Sequence, residues 1–174
     1  MEFFKKNRPV AALCLVVIIA LSVIFGSWRS IDGIKGELAN EFQKIDKYGE
    51  TVSGTVDMLE KHIRTFVAEY KLALGNCVEA NILTECADAL NCVNGTIPYA
   101  AKIDDARNAA MLMHQRLDNE GKYSIEAKAA YAGIDNDISI LRRYDDYNAA
   151  AKKYNEAAST LVGKLFGLGQ ALEF

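Results

Sequence analysis

The chain has 174 residues, and its 20 lysines and arginines against 23 aspartates and glutamates give a formal net charge of −3. This length suits one domain with an appendage. Residues 29–174 carry 17 basic and 22 acidic side chains and show no basic stripe. Because neutralisation of phosphates supplies most nucleic-acid affinity, we expect no nucleic-acid partner.

The first predicted element is a membrane anchor. Residues 9–28 are twenty residues without a charge, flanked by Arg8 and Arg29. As a helix this run would be about 30 Å long, the thickness of the hydrocarbon core of a bilayer. Its apolar part exceeds the core of a cleavable signal peptide, and no small-x-small cleavage site follows it. We therefore predict an uncleaved single-pass anchor. The alternative is a removed signal peptide, which would leave a soluble secreted domain.

The charges that flank the span predict its orientation. Residues 1–8 form a short N-terminus with three basic residues, whereas basic and acidic residues are mixed after the span. The positive-inside rule then places the N-terminus in the cytoplasm and the bulk of the chain outside it. Arg8, Trp28 and Arg29 are expected at the membrane interfaces, with Trp28 in the outer aromatic belt.

Residues 29–162 are predicted to form an antiparallel bundle of about four helices, which makes the fold class all-α. In the first of these helices, apolar residues recur at alternating steps of four and three, as in a coiled coil or a long bundle helix. The positions are Leu38, Phe42, Ile45, Gly49, Val52, Val56, Leu59, Ile63, Phe66, Tyr70 and Ala73. This pattern predicts one helix from about 31 to 74, with a bend at Gly49 and Gly54 and a stop at Gly75.

Three further helices follow in the prediction. The second covers about 78–92 and ends at the Asn-Gly-Thr-Ile-Pro breaker. The third covers about 99–119, and its predicted inward positions are Ala100, Ile103, Ala106, Ala110, Met113 and Leu117. Ser124 is a natural N-cap for the fourth, which is expected to continue towards residue 162. Strand-like alternation of β-branched residues is absent from the sequence.

The fourth predicted helix repeats an aromatic-amide pair. Tyr147-Asn148 and Tyr154-Asn155 lie seven residues apart, so both pairs return to nearly the same helical face, next to Tyr144. One interpretation is packing, in which tyrosines fill space and asparagines specify register. The other is an interaction surface, since tyrosine is enriched at binding hot spots.

Four cysteines bear on the redox state. Cys14 lies in the predicted span, and Cys77, Cys86 and Cys92 follow it. Outside the cytoplasm, a disulfide from Cys77 or Cys86 to Cys92 is one prediction. Small buried apolar residues are the other.

Sequence signatures of catalysis are missing. His62 and His114 are not preceded by the Glu-x-x spacing of di-iron bundles, and the cysteines lack zinc-ligand spacing. No Gly-x-Ser-x-Gly elbow or phosphate-binding glycine loop occurs. We therefore expect no enzymatic activity, no metal and no cofactor, and we interpret His62 as a partly exposed bundle residue.

The C-terminal third resembles the LemA family of bacterial membrane proteins. The matching segments are NDISILRRYDDYNAAAKKYNE at 136–156, with its two Tyr-Asn pairs, and LVGKLFGLGQALEF at 161–174. The layout is also similar: a short basic N-terminus, one span, a long first helix and a helical bundle. The chain differs from the family in lacking a proline in the first long helix and in its cysteine-bearing middle. The resemblance to a divergent member implies a single-pass, membrane-anchored helical bundle and supplies no catalytic residues.

Together these features lead to a functional hypothesis. We expect a non-enzymatic protein of the bacterial inner membrane that acts as a scaffold or adaptor, with its bundle outside the cytoplasm. Its partners would be membrane lipid, through the anchor, and another membrane or envelope protein or a second copy of itself. The alternative is an extracytoplasmic ligand-binding or sensor domain. Residues 163–174 form an apolar, glycine-containing tail that would either pack on the bundle or lie on the membrane.

Overall fold

The computed structural model describes residues 8–91 and 103–174, with the side chain of Arg8 outside that description. Across these two ranges the chain forms seven helices and no β-strand, which confirms the all-α prediction. The helices are α1 (Arg8–Gln43), α2 (Val52–Leu74), α3 (Val78–Leu90), α4 (Ile103–Asn119), α5 (Ile125–Leu141), α6 (Asp145–Ala158) and α7 (Leu161–Leu165).

Helix α1 joins the apolar N-terminal segment to the rest of the protein without a break. Its 36 residues run through the predicted span and on to Leu38 and Phe42, which are buried in the core. None of its most hydrophobic 18-residue window is covered by the rest of the protein. Within the described residues, it is the one helix long and apolar enough to cross a membrane.

Helices α2 to α5 form an antiparallel four-helix bundle. The main contacts are of α2 with α5 and α3, and of α3 with α4. Direction follows from the cross-helix bonds: Ser124, which precedes α5, donates to Glu69 near the end of α2, and Asp137 bonds His62 nearer the middle of α2. The predicted inward positions of the third helix are confirmed, since Ile103, Ala106, Ala110, Met113 and Leu117 are all buried. Ala100 lies outside the described residues.

A second layer lies between this bundle and the apolar segment. There α6 packs antiparallel against the C-terminal part of α1. Lys153 forms an ion pair with Glu37 at 2.6 Å, and Lys44 forms one with Asp146 at 3.3 Å. These ion pairs are exposed and contribute little to stability. The buried contact is between Phe42 and Tyr147, whose ring centroids are 5.9 Å apart.

The predicted continuous first helix is interrupted, because residues 44–51 form a loop between α1 and α2. The Asp46 carboxylate accepts hydrogen bonds from the amides of Tyr48 and Glu50 at 2.7 and 2.9 Å. Gly49 has a φ of +84°, and the Thr51 hydroxyl caps α2. These side chains offer the backbone local bonds that compete with helix. The apolar pattern therefore resumes in α2, and Ile45 is left exposed.

The predicted fourth helix is also two helices. Residues 142–144 form a tight turn between α5 and α6, in which the amide of Arg143 donates to the carbonyl oxygen of Ile140 at 2.9 Å. Asp145 and Asp146 then occupy the first turn of α6, where carboxylates are favoured by the helix dipole. No glycine or proline marks this break in the sequence.

Several predicted helix ends agree with the structure. Gly75 ends α2 with a φ of +82°, and Ser124 caps α5 by accepting a hydrogen bond from the amide of Ala127. The second helix ends at Leu90 rather than at residue 92. Residues 99–102, the predicted start of the third helix, lie outside the described residues.

Candidate functional site: the tyrosine-asparagine repeat, the tail and the cleft

The two tyrosines of the repeat lie in the core. Tyr147 and Tyr154 are each 1% exposed, because α6 turns them towards α1 and the C-terminal tail. The Tyr147 ring contacts the rings of Phe42 and Phe174, with centroid distances of 5.9 and 5.8 Å. Its hydroxyl donates to the carbonyl oxygen of Leu172 at 2.9 Å.

The two asparagines bind the chain's own C-terminus. The Asn155 amide exchanges two hydrogen bonds with the backbone of Ala171, at 2.9 and 2.6 Å. Asn148 accepts from the amide of Phe174 at 2.9 Å. As a result Ala171 and Leu172 are buried at 5% exposure.

The seven-residue spacing matches the spacing of the bound tail. Two turns of α6, from Asn148 to Asn155, advance about 10.5 Å along the helix axis. Three residues of extended chain, from Ala171 to Phe174, cover about 10 Å. The repeat therefore holds two points of the tail in one register.

In the structure, the side chains of the repeat contact the protein's own core and tail. Tyr147 and Tyr154 pack in the core, and Asn148 and Asn155 form hydrogen bonds with the chain's own tail. Sequence reasoning did not identify this partner. The sequence feature that could have indicated it is the segment Ala-Leu-Glu-Phe at 171–174. This segment is apolar enough to be buried, and it follows Asn148 and Asn155 closely in the chain. Tyr144 lies apart, half-buried beside a cleft.

This cleft opens where the two helix breaks face each other, and its volume is about 800 Å³. It is lined by Glu41, Lys44, Ile45, Asp46, Lys47, Tyr48, Glu50, Ile140, Arg143, Tyr144, Asp145, Asp146 and Tyr147. The Tyr144 hydroxyl is buried there close to the Thr55 hydroxyl, and it forms no well-formed hydrogen bond with any described residue. With three basic and five acidic side chains in its wall, the cleft suits a polar occupant.

No group of three metal-ligating side chains occurs in residues 8–91 and 103–174. His62 is about one-quarter exposed, and its Nδ1 bonds the buried Asp137 carboxylate at 2.7 Å. His114 stacks on Tyr131 with a centroid distance of 4.3 Å. Both histidines thus lie among bundle side chains.

At the predicted membrane interfaces, Trp28 is 41% exposed and contacts Phe166, and Arg29 is exposed. The prediction for Arg8 concerns a side chain outside the described part of the chain.

The cysteines occupy three different environments. Cys14 is on the exposed surface of the apolar segment, Cys77 caps the start of α3 through its sulfur, and Cys86 is buried in the bundle. Cys77 and Cys86 carry free thiols. The predicted disulfide to Cys92 involves a residue outside the described ranges.

We expect Cys86 to be alkylated much more slowly than Cys77 in the folded protein. Burial raises the pKa of the Cys86 thiol to about 12, so at pH 8 roughly one thiol in 10⁴ is ionised. This raised pKa contributes stability below about pH 9, and the contribution is lost as the pH rises from 9 towards 12. Iodoacetamide labelling in mild detergent, read by peptide mass spectrometry, measures the rates. In denaturant the two rates should converge, and equal rates in the folded protein would contradict the buried position.

Comparison of the chain with protein-family models, with curated proteins and with solved structures found no match in any of the three.

Proposed function

We propose that this protein is a membrane-anchored, non-enzymatic scaffold or adaptor of the bacterial inner membrane, and a divergent relative of the LemA proteins. The observation that carries the proposal is the continuity of α1. One helix contains both the candidate span and the buried residues Leu38 and Phe42, so the anchor and the folded domain are joined without a flexible linker.

A rigid connection places the bundle at a defined distance from the membrane. Residues 29–43 extend α1 by about 22 Å beyond Trp28. The four-helix bundle of α2 to α5 begins past that point. With the N-terminus in the cytoplasm, the bundle faces the extracytoplasmic side. Anchoring confines it to the membrane plane, which raises its effective concentration for other membrane proteins.

The distal end of the bundle is the surface that we assign to a protein partner. Three large aliphatic residues are exposed there: Leu72 at 82%, Val78 at 71% and Ile125 at 81%. They lie at the end of α2 and at the starts of α3 and α5, and the bond between Ser124 and Glu69 brings two of these helix ends together. Exposed aliphatic side chains of this size mark protein interaction sites, because a partner that covers them removes their apolar surface from water.

In-membrane photo-cross-linking tests this assignment. A photoreactive residue is introduced into the full chain at position 72 or 125, both highly exposed, and at position 152 on α6 as the control. We expect one membrane or envelope protein to be captured from 72 and 125, with little capture from 152. Recovery should fall when Leu72→Glu is combined with a photoreactive residue at 125. Adducts with a second copy alone would indicate a self-assembling scaffold, and no adduct would contradict the assignment.

The cleft favours a second candidate function, an extracytoplasmic ligand-binding or sensor domain. A pocket of about 800 Å³ is large enough for a small molecule, and the buried Tyr144 hydroxyl offers it a polar contact. A ligand of the folded state raises the melting temperature by mass action. A thermal-shift screen of small polar molecules would favour this function if a hit lost its effect in Tyr144→Phe.

A further inference from the structure

Helix α7 and the residue after it lie against the outer end of the candidate span. The rings of Trp28 and Phe166 have centroids 4.4 Å apart at a tilted angle of 58°. Around this contact is an apolar groove between Phe166 and one face of α1. Its lining consists of Leu21, Ser22, Ile24, Phe25, Trp28 and Phe166.

The position of this groove along α1 corresponds to one edge of a bilayer. Leu21 and Trp28 are seven residues apart, about 10 Å along the helix. Residues 21–28 are the last eight residues of the uncharged run, which is followed by Arg29. Trp28 is an interfacial residue type, so Phe166 lies at the depth where aromatic belts meet the hydrocarbon.

The side of α7 that faces away from the protein is apolar. Leu161 is 85% exposed, Leu165 is 66% exposed and Phe166 is 40% exposed. Leu161 and Leu165 are four residues apart and share one helical face. Lys164 is exposed beside them, with a stem long enough to bring its ammonium group to lipid headgroups.

The protein holds α7 at this depth from both ends. The Thr160 hydroxyl caps the helix by accepting from the Gly163 amide at 3.2 Å, and Gly163 lies directly against the carbonyl oxygen of Ala158. On the other side, the tail is bound to Asn148 and Asn155. The exposed leucines are therefore presented by a braced segment rather than by a free end.

We propose that α7 is a second membrane contact, with Leu161, Leu165 and Phe166 inserted into the headgroup-acyl boundary of the leaflet that surrounds Trp28. The occupant of this apolar face is lipid, because the face continues the lipid-facing surface of α1 at the same depth. This inference rests on the proposed function, in which α1 spans the membrane. Two contacts fix the rotation of the bundle about the α1 axis, which one helix alone does not.

Depth-dependent quenching of tryptophan tests the contact, because Trp28 is the only tryptophan in the chain. The full protein is reconstituted into phosphatidylcholine–phosphatidylglycerol vesicles, with or without acyl chains brominated near the headgroup. The reporter indole is moved to α7 by Trp28→Phe with Leu165→Trp, or with Leu161→Trp as a second variant. Trp28→Phe keeps an aromatic ring against Phe166. The matched control is Trp28→Phe with Leu72→Trp, at a residue that is 82% exposed at the distal end of the bundle.

We expect brominated lipid to quench the indole at position 165 or 161 to the same extent as Trp28 in the unmodified chain, and to leave the indole at position 72 unquenched. Acrylamide in the water phase should give the reverse order. If the indole at position 165 is as unquenched as the indole at position 72 while Trp28 is quenched, the proposed α7 contact is contradicted and the proposed membrane anchor is supported. If Trp28 itself escapes brominated lipid, the anchor and the α7 contact are both overturned. Circular dichroism verifies that each variant keeps its helical content.

Discussion

Replacing Tyr147 with alanine is expected to lower the free energy of unfolding by about 3–5 kcal/mol, the range for truncating a large buried aromatic residue. Tyr147 is 1% exposed and packs against Phe42 and Phe174, so its removal opens a cavity where α1, α6 and the tail meet. The hydrogen bond to Leu172 is lost as well. Urea unfolding of the full chain in mild detergent, followed by circular dichroism, measures the change.

Tyr147→Phe is the matched control for this prediction. It keeps the ring and removes only the hydroxyl that donates to Leu172, so it should cost about 1 kcal/mol. Release of the tail can be followed separately, by cleavage near residue 170 with a nonspecific protease. Tyr147→Ala should be cleaved faster than Tyr147→Phe. Equal losses of stability in the two variants would contradict the buried position of the ring.

Gly133→Ala is expected to destabilise the protein by about 2–3 kcal/mol, the cost of depriving a buried charged group of its hydrogen bond. A β-carbon at position 133 would lie 2.5 Å from Nδ1 of His62, so the imidazole has to move. That nitrogen bonds the Asp137 carboxylate, which is 5% exposed between α2 and α5. Helix propensity alone predicts the opposite sign, since alanine is favoured over glycine by about 1 kcal/mol.

Two controls isolate the mechanism. Gly36 is helical with open space around it, so Gly36→Ala should be neutral or slightly stabilising. In a His62→Ala background there is no ring to displace, and Gly133→Ala should then cost little. The double-mutant cycle should therefore be strongly non-additive. An additive cycle would mean that the effect of Gly133→Ala does not act through His62.

Much of the helical framework could be predicted from local patterns. The apolar spacing identified Val52, Val56, Leu59, Ile63 and Phe66 as one buried stripe, and all five are buried. Ser124 and Gly75 marked helix ends because capping and left-handed backbone are properties of a few neighbouring residues. The uncharged run likewise predicted a helix that is long and apolar enough to cross a membrane, and the structure contains this helix.

The two helix breaks were harder to predict from the sequence. The first, at residues 44–51, has one sequence signal in Gly49 and a second in the capping side chains of Asp46 and Thr51. The second, at 142–144, has no glycine or proline, so local propensity favoured continuation. The chain turns there because α5 packs along α2, whereas α6 packs along α1. The first break separates α1 from α2, so the helices that pack on them are separated as well.

By itself, the sequence determined the all-α class, the long apolar helix at the N-terminus and the inward faces of α2 and α4, because all three are encoded in residues within a few turns of one another. Only the tertiary structure decided what the inward-facing polar groups bind. Asn155 binds Ala171, 16 residues away, and His62 binds Asp137, 75 residues away. The physical reason is that a buried amide or carboxylate requires a partner but does not specify which one. Packing of distant segments makes that choice, and here it turned a seven-residue repeat into the binding site for the chain's own C-terminus.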